Sequence, residues 1–271
     1  MLDIILIFII GCIISGFGSI TGFGGGVIMV PVLVVIFHVP ITTAIGSVAV
    51  ALLPSSIISS IFNHRFGFTD YTVGVLLEIP TIIGAIFGAM LTAIIAVSKL
   101  EYIFAGFVIL MGIQMFLKEK EEETRFSAWL NRVNKIKPSF ERKTENGIYH
   151  FSVILTSIFG LIVGTIAGMF GVGGGFLKGP VMIKVFKIPP RIAAATALFM
   201  IVFTSLTSSV THYFLGHVHW TSALPVAASF IVGSLIGNQF TSKTRDEFLK
   251  KLIGFALFLS GFFILINSYI R

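Results

Sequence analysis

Two glycine clusters carry the most specific chemistry in this chain. Gly22-Phe23-Gly24-Gly25-Gly26-Val27-Ile28-Met29-Val30-Pro31 returns 149 residues later as Gly171-Val172-Gly173-Gly174-Gly175-Phe176-Leu177-Lys178-Gly179-Pro180. Each triplet opens an apolar run of 11 or 10 residues, Val27–Phe37 and Phe176–Val185. At 1.5 Å per residue a helix needs about 20 to cross hydrocarbon, so these are half-spans. A helix that starts at such a break points its unbonded N–H groups and positive dipole end back at the glycines. Two helix ends meeting at one cavity make an anion site from backbone alone. Gly24, Gly25, Gly26, Gly173, Gly174 and Gly175 are therefore the expected substrate-binding positions. The competing use of such glycines is close helix packing, which small residues serve throughout membrane bundles.

Few side chains with chemistry lie nearby. Lys178 is the sole basic residue between His150 and Lys184, and its counterpart in the first copy is Met29. It either attracts the anion or snorkels to an interface. Glu78, aligned with Ala227, is the only acid inside a long apolar segment. It either couples transport to protons or reaches the headgroups, and its place about two turns from a helix end favours the headgroups. Ser47 and Thr196 are equivalent positions a few residues past Pro40 and Pro189; they can donate to an oxyanion or bond a neighbouring helix. Asn63 and His212, also equivalent, stand at helix ends where a cavity mouth or gate would lie. His217-x-His219 lacks a nearby Cys or acid to complete a metal site, so no metal is expected. Gly171-x-Gly-Gly-Gly-x-x-Lys lacks the Gly-Lys-Ser/Thr of a phosphate loop. No serine, histidine and acid cluster as a hydrolase requires, and no cofactor motif occurs.

The elements that must position these residues follow from composition and repetition. Of 271 residues 55% are hydrophobic and 11% charged, too few charges to cover a water-facing surface. The chain reads as an all-α polytopic membrane protein, its partners being the bilayer and a small solute. The net charge of +7 is a topology signal here and does not point to nucleic acid. The single cysteine, Cys12, excludes an internal disulfide. Met1-Leu2-Asp3-Ile4 lacks a basic n-region and reads as the start of the first helix.

The 149-residue shift also aligns Pro40 with Pro189, Gly67 with Gly216, Gly84 with Gly233 and Gly88 with Gly237, without a gap. The chain is thus divided into a first transmembrane repeat over 1–117, a linker over 118–149 and a second repeat over 150–271. Each repeat has five passes with one broken, or a re-entrant hairpin plus three passes. Both counts are odd, which turns the second copy upside down. With the linker cytoplasmic, sixteen of the 19 basic residues share its side, leaving Lys99, Lys178 and Arg271 elsewhere. Both termini are then outside. In the linker, Phe126, Trp129, Leu130, Val133 and Ile136 fall at helical spacing, the pattern of a short helix on the inner leaflet or of a solvated connector.

These residues resemble the TauE/SafE family of sulfite exporters and related permeases. The resemblance rests on the two glycine clusters with Pro31 and Pro180, on Ala195-Thr196-Ala197-Leu198, on Asn63-His64-Arg65-x-Gly67, and on Trp220 with Gly233 and Gly237. It covers nearly the whole chain apart from the linker. It implies secondary transport of small sulfur-containing anions, such as sulfite or organosulfonates, across a bacterial or archaeal cytoplasmic membrane. The acid that the family places before the tryptophan is His219 here, while Asp70 keeps the first-copy version. An anion channel using the same site is the nearest alternative. An intramembrane enzyme or assembly factor is another, although no nucleophile–base pair supports it.

Overall fold

The computed structural model describes residues 2–116, 139–144, 147–240, 258, 261–262 and 264–266. In the first copy, helix α1 spans Leu2–Thr21, α2 Gly26–Val35, α3 Ile41–Arg65, α4 Tyr71–Ile94 and α5 Val97–Phe116. The second copy begins with α6 at Val153–Phe170, followed by α7 at Gly175–Lys184, α8 at Pro190–Phe214 and α9 at Trp220–Phe240. Six of these helices, α1, α3, α4, α6, α8 and α9, are long and apolar enough to cross a membrane. The protein is a polytopic helical membrane protein.

Its polarity is that of a bundle built for lipid. Ile4, Ile5, Ile9 and Ile13 of α1 and Ile79, Ile83 and Phe87 of α4 are exposed, while Ser15, Ser19, Ser59, Thr81, Thr204, Ser205 and Ser208 are buried. Lipid tails solvate the isoleucines, whereas hydroxyls turn inward to bond carbonyls and each other. Thr81 and Thr156, for example, donate to the carbonyls of Leu77 and Ser152 one turn back (2.7 and 2.8 Å).

The duplication is visible in the backbone. Left-handed conformations recur at Gly22 and Gly171 (φ 80° and 61°), Gly24 and Gly173 (77° and 69°), Gly25 and Gly174 (84° and 71°), and even at the non-glycine pair His38 and Lys187 (53° and 57°). The helices α2 and α7, and likewise α3 and α8, start and stop 149 residues apart. A left-handed residue cannot continue a helix, so the paired glycines end α1 and α6 and set the angle at which α2 and α7 depart. The Gly24 N–H donates to the Gly18 carbonyl (3.0 Å), and α2 folds back along α1. At Gly25 a Cβ would stand 2.9 Å from the Ile14 carbonyl oxygen, so no side chain fits there.

The copies interlock by exchanging partners. The first helix of each packs on the fourth helix of the other: α1 on α9 and α6 on α4. Both seams run parallel. Along one, the Ser15 hydroxyl donates to the Phe230 carbonyl (2.8 Å) and Gly16 faces Gly233 and Gly237. Along the other, Gly160 meets Leu77 and Pro80, Gly164 meets Thr81, and Gly168 meets Ala85. Parallel contacts also join α4 to α8, through Asp70 with Thr196 and Glu78 with Thr204, and α3 to α9, through Gly46 with His217 and Ser59 with Asn238.

The linker departs from the all-helical plan. Strands β1 (Ser139–Thr144) and β2 (Gly147–Ser152) pair antiparallel, Phe140 opposite Phe151, and β2 leads straight into α6. The surface helix expected around Phe126–Ile136 lies outside the described residues. So does most of the last apolar segment, of which Ile264 packs into the core.

Candidate functional site

The two glycine breaks meet. A Cβ on Gly26 would lie 3.1 Å from the Cα of Val172, and one on Gly175 would lie 2.8 Å from the Gly22 carbonyl oxygen. Leu52 and Ile201, themselves 149 residues apart, both close over Gly24 and Gly173. At the start of α2 the N–H groups of Ile28 and Met29 bond the Gly25 carbonyl; at the start of α7 those of Leu177 and Lys178 bond the Gly174 carbonyl. The amides before them in each helix precede the first intrahelical bond. Gly24, Gly25, Gly26, Gly173, Gly174 and Gly175 are all buried.

Lys178 lies beside this junction but neither snorkels nor stands alone. Its Nζ donates to Glu78 Oε2 (2.8 Å) and to Thr204 Oγ1, and the Thr204 hydroxyl donates to Glu78 Oε1. Glu78 is 3% exposed and Lys178 1%, so the expectation that Glu78 reaches the headgroups is corrected. The physical reason is the parallel packing of α4 on α8, which sets Glu78 against Thr204 and lets α7 insert its lysine between them. The Lys178 Cε is 3.5 Å from where a Gly174 Cβ would be, so its stem runs past the α7 break. Sequence reasoning treated the two charges separately and missed Thr204. Equal and opposite lone charges in one apolar chain were the available signal for a pair.

The other expected residues divide. Asn63 lines a cavity of about 130 Å³ at one end of the bundle, with Phe62, Phe66, Phe68, Arg191, Asn238 and Gln239. Its amide donates to the Ser59 carbonyl (2.8 Å), and Arg191 lies over the Phe68 ring. His212, the equivalent residue expected at a mouth or gate, lies at the end of α8. His212 is 0% exposed; its Nε2 donates to the Gly168 carbonyl (2.9 Å) and its Nδ1 meets His217 Nδ1 (3.0 Å). The imidazole thus ties the end of α8 to the end of α6. Thr196 accepts from the Asp70 N–H (3.0 Å), pinning the start of α4, where Asp70 also caps the helix by accepting from Thr72 and Val73. Ser47 is wholly buried and its hydroxyl has no partner. No contact among the described residues brings Ser47 or Thr196 to the glycines. Among the described residues no group of three potential metal ligands occurs.

The His212–His217 contact has a pH consequence. A carbonyl only accepts, so Nε2 of neutral His212 carries the proton and its Nδ1 accepts from His217. Burial, and then the neighbouring His219, push the His217 pKa below the ordinary imidazole value. A lowered folded pKa means that the unfolded chain binds more protons; the contribution is present above about pH 6.5 and lost as pH falls below it. Thermal unfolding in detergent is expected to show a lower Tm at about pH 5 than at about pH 8, with a smaller drop in His217→Phe. Equal drops in both proteins would assign the effect to other groups.

A sequence profile of the family described as sulfite exporter TauE/SafE matches residues 7–264. The chain belongs to the TauE/SafE family. TauE/SafE relatives include the probable membrane transporter protein YunE of Bacillus subtilis, 27% identical over 269 residues and 96% of each chain. The probable membrane transporter protein MJ0441 of Methanocaldococcus jannaschii is 26% identical over 277 residues, 96% of this chain and 95% of that one. Sulfite exporter TauE/SafE family protein 2 of Arabidopsis thaliana is 33% identical over 117 residues, 41% of this chain and 25% of its own. No solved structure matches. Family and relatives make this protein a membrane transporter and not an enzyme.

Proposed function

We propose that the protein carries a small sulfur-containing anion, such as sulfite or an organosulfonate, by alternating access at the junction of its two glycine breaks, and that it works as an exporter. The observation that carries this is the convergence of two half-helix starts from different copies under Leu52 and Ile201. Backbone N–H groups and two dipole ends favour an anion there, and Lys178 adds a positive charge within reach. The copies lie upside down to one another, a reading supported by the parallel α1–α9 and α4–α6 seams and by the five-residue connections that reverse the chain between α3 and α4 and between α8 and α9. Rocking of one copy on the other opens the Asn63 end or the His212 end. A carrier fits better than a channel because Leu52 and Ile201 close the junction. The distribution of basic residues supports a cytoplasmic linker and outside termini in a bacterial or archaeal cytoplasmic membrane.

The test is uptake of labelled sulfite into proteoliposomes, with sulfate, thiosulfate and taurine as competitors and protein-free vesicles as the blank. Saturable counterflow is expected in the native protein. It should be lost in Gly25→Val/Gly174→Val, where both positions need positive φ and each new Cβ would stand 2.9 Å from Ile14 O or Ala167 Cβ. Counterflow that survives in the double variant would move the site away from the breaks.

A further inference from the structure

Lys178, Glu78 and Thr204 have no equivalent trio at the positions 149 residues away. The matching positions are Met29, Ala227 and Ser55, and Ser55 merely bonds the Leu52 carbonyl (3.1 Å). The same fold is therefore built on the other side of the molecule without any charge. A buried ion pair adds little to stability over apolar side chains of similar volume, so folding does not explain its presence on one side alone. Its position does suggest a use: the lysine stem passes the α7 break, and its ammonium is shared between a carboxylate on α4 and a hydroxyl on α8.

We propose that this trio couples the anion to a proton, so that the carrier moves one proton with each monoanion. The proposal rests on the breaks being the anion site. In the empty carrier Glu78 and Lys178 cancel. An anion arriving at the α7 amides draws the ammonium away from Glu78, and the carboxylate, left without a counter-ion in a dry interior, takes up a proton from water. The Thr204 hydroxyl, which donates to the carboxylate, turns to accept from the acid. Loaded, the site holds Lys178⁺, the anion and a neutral Glu78. Net charge is zero in both states, so neither crossing carries an uncompensated charge through the bilayer. Other ionisable groups on the elements around Glu78 are engaged elsewhere. Arg191 of α8 lies over Phe68, His212 of α8 holds Gly168, Tyr71 of α4 bonds His64, and α6 contains no ionisable residue.

The experiment separates exchange from net transport in proteoliposomes with labelled sulfite. Net uptake by the native protein should rise when the outside is acidified and should not respond to an imposed membrane potential. In Glu78→Gln the empty carrier bears an uncompensated lysine, and its return is blocked. Net uptake should fall on the order of a hundredfold while one-for-one exchange with preloaded sulfite stays within about threefold of native. Should Glu78→Gln fail to fold, Glu78→Ala/Lys178→Met installs the residues found at the positions 149 residues away. Uptake by that variant should be weaker and driven by an inside-positive potential, since the loaded form is now an anion. Net uptake and exchange falling together in Glu78→Gln, or native uptake that follows the potential, would overturn the coupling. A native protein that exchanges no sulfite would instead remove the anion site, and the trio's role with it.

Discussion

Lys178→Met alone is expected to destabilise the protein by about 3–5 kcal/mol, because it leaves the Glu78 carboxylate buried without its cation. The methionine itself fits, as Met29 occupies the equivalent place in the first copy and is fully buried there. The loss is thus one of charge and not of shape. Glu78→Ala added to it should recover most of the stability, since Ala227 is the equivalent residue and the trio then becomes as apolar as its counterpart. Chemical unfolding of the purified proteins in detergent reads both values. A single variant as stable as the native protein would mean that the ion pair is solvated by water, and the neutral-carrier account would lose its physical basis.

Gly168→Leu should be as damaging for a different reason. Gly168 faces Ala85 across the α4–α6 seam so closely that any Cβ would enter the Ala85 carbonyl, and Gly164 and Gly88 make the same approach to Thr81 and Thr165. Backbone cannot give way as a side chain can. The two helices would have to part along the seam, with a cost beyond the ~1–3 kcal/mol of ordinary overpacking. Parting them would also withdraw Glu78 from Lys178 and the Gly168 carbonyl from His212. The expected result is aggregation on extraction, or a monodisperse protein with a strongly lowered Tm. Gly106→Leu, at a position with nothing within 4 Å of a new Cβ, is the control and should behave as native. Matching melting curves for the two variants would show that the seam is looser than its contacts indicate.

What was legible in the sequence was whatever period, length and repetition control. A half-length apolar run after Gly24-Gly25-Gly26 can only be a short helix, and its return at Gly173-Gly174-Gly175 predicts a second one. The structure has both, at Gly26–Val35 and Gly175–Lys184. Long runs bounded by Pro40, Gly67, Pro189 and Gly216 likewise became α3 and α8. The hairpin at 139–152 was not legible, because its strands lie largely in the polar linker, outside the long apolar runs.

Site chemistry was legible only where it was local. The glycines sit at the ends of α1 and α6 and at the starts of α2 and α7, so the helix-start argument held from neighbouring residues alone. Glu78 and Lys178 are 100 residues apart and Thr204 lies 126 residues beyond Glu78, on three different helices. Each taken singly had a defensible outcome at the membrane surface. Which of them meet depends on the register of α4 on α8, and that register is decided by glycines packing backbone to backbone across α4 and α6. The same holds for His212, whose partner Gly168 is 44 residues away. The sequence by itself determined that this is a duplicated helical membrane protein with two helix starts inside the bilayer, because hydrophobic length and backbone hydrogen bonding are local demands. Only the tertiary structure decided that the two lone charges are one neutral unit, and that His212 bonds the Gly168 carbonyl, because those facts belong to contacts between distant segments.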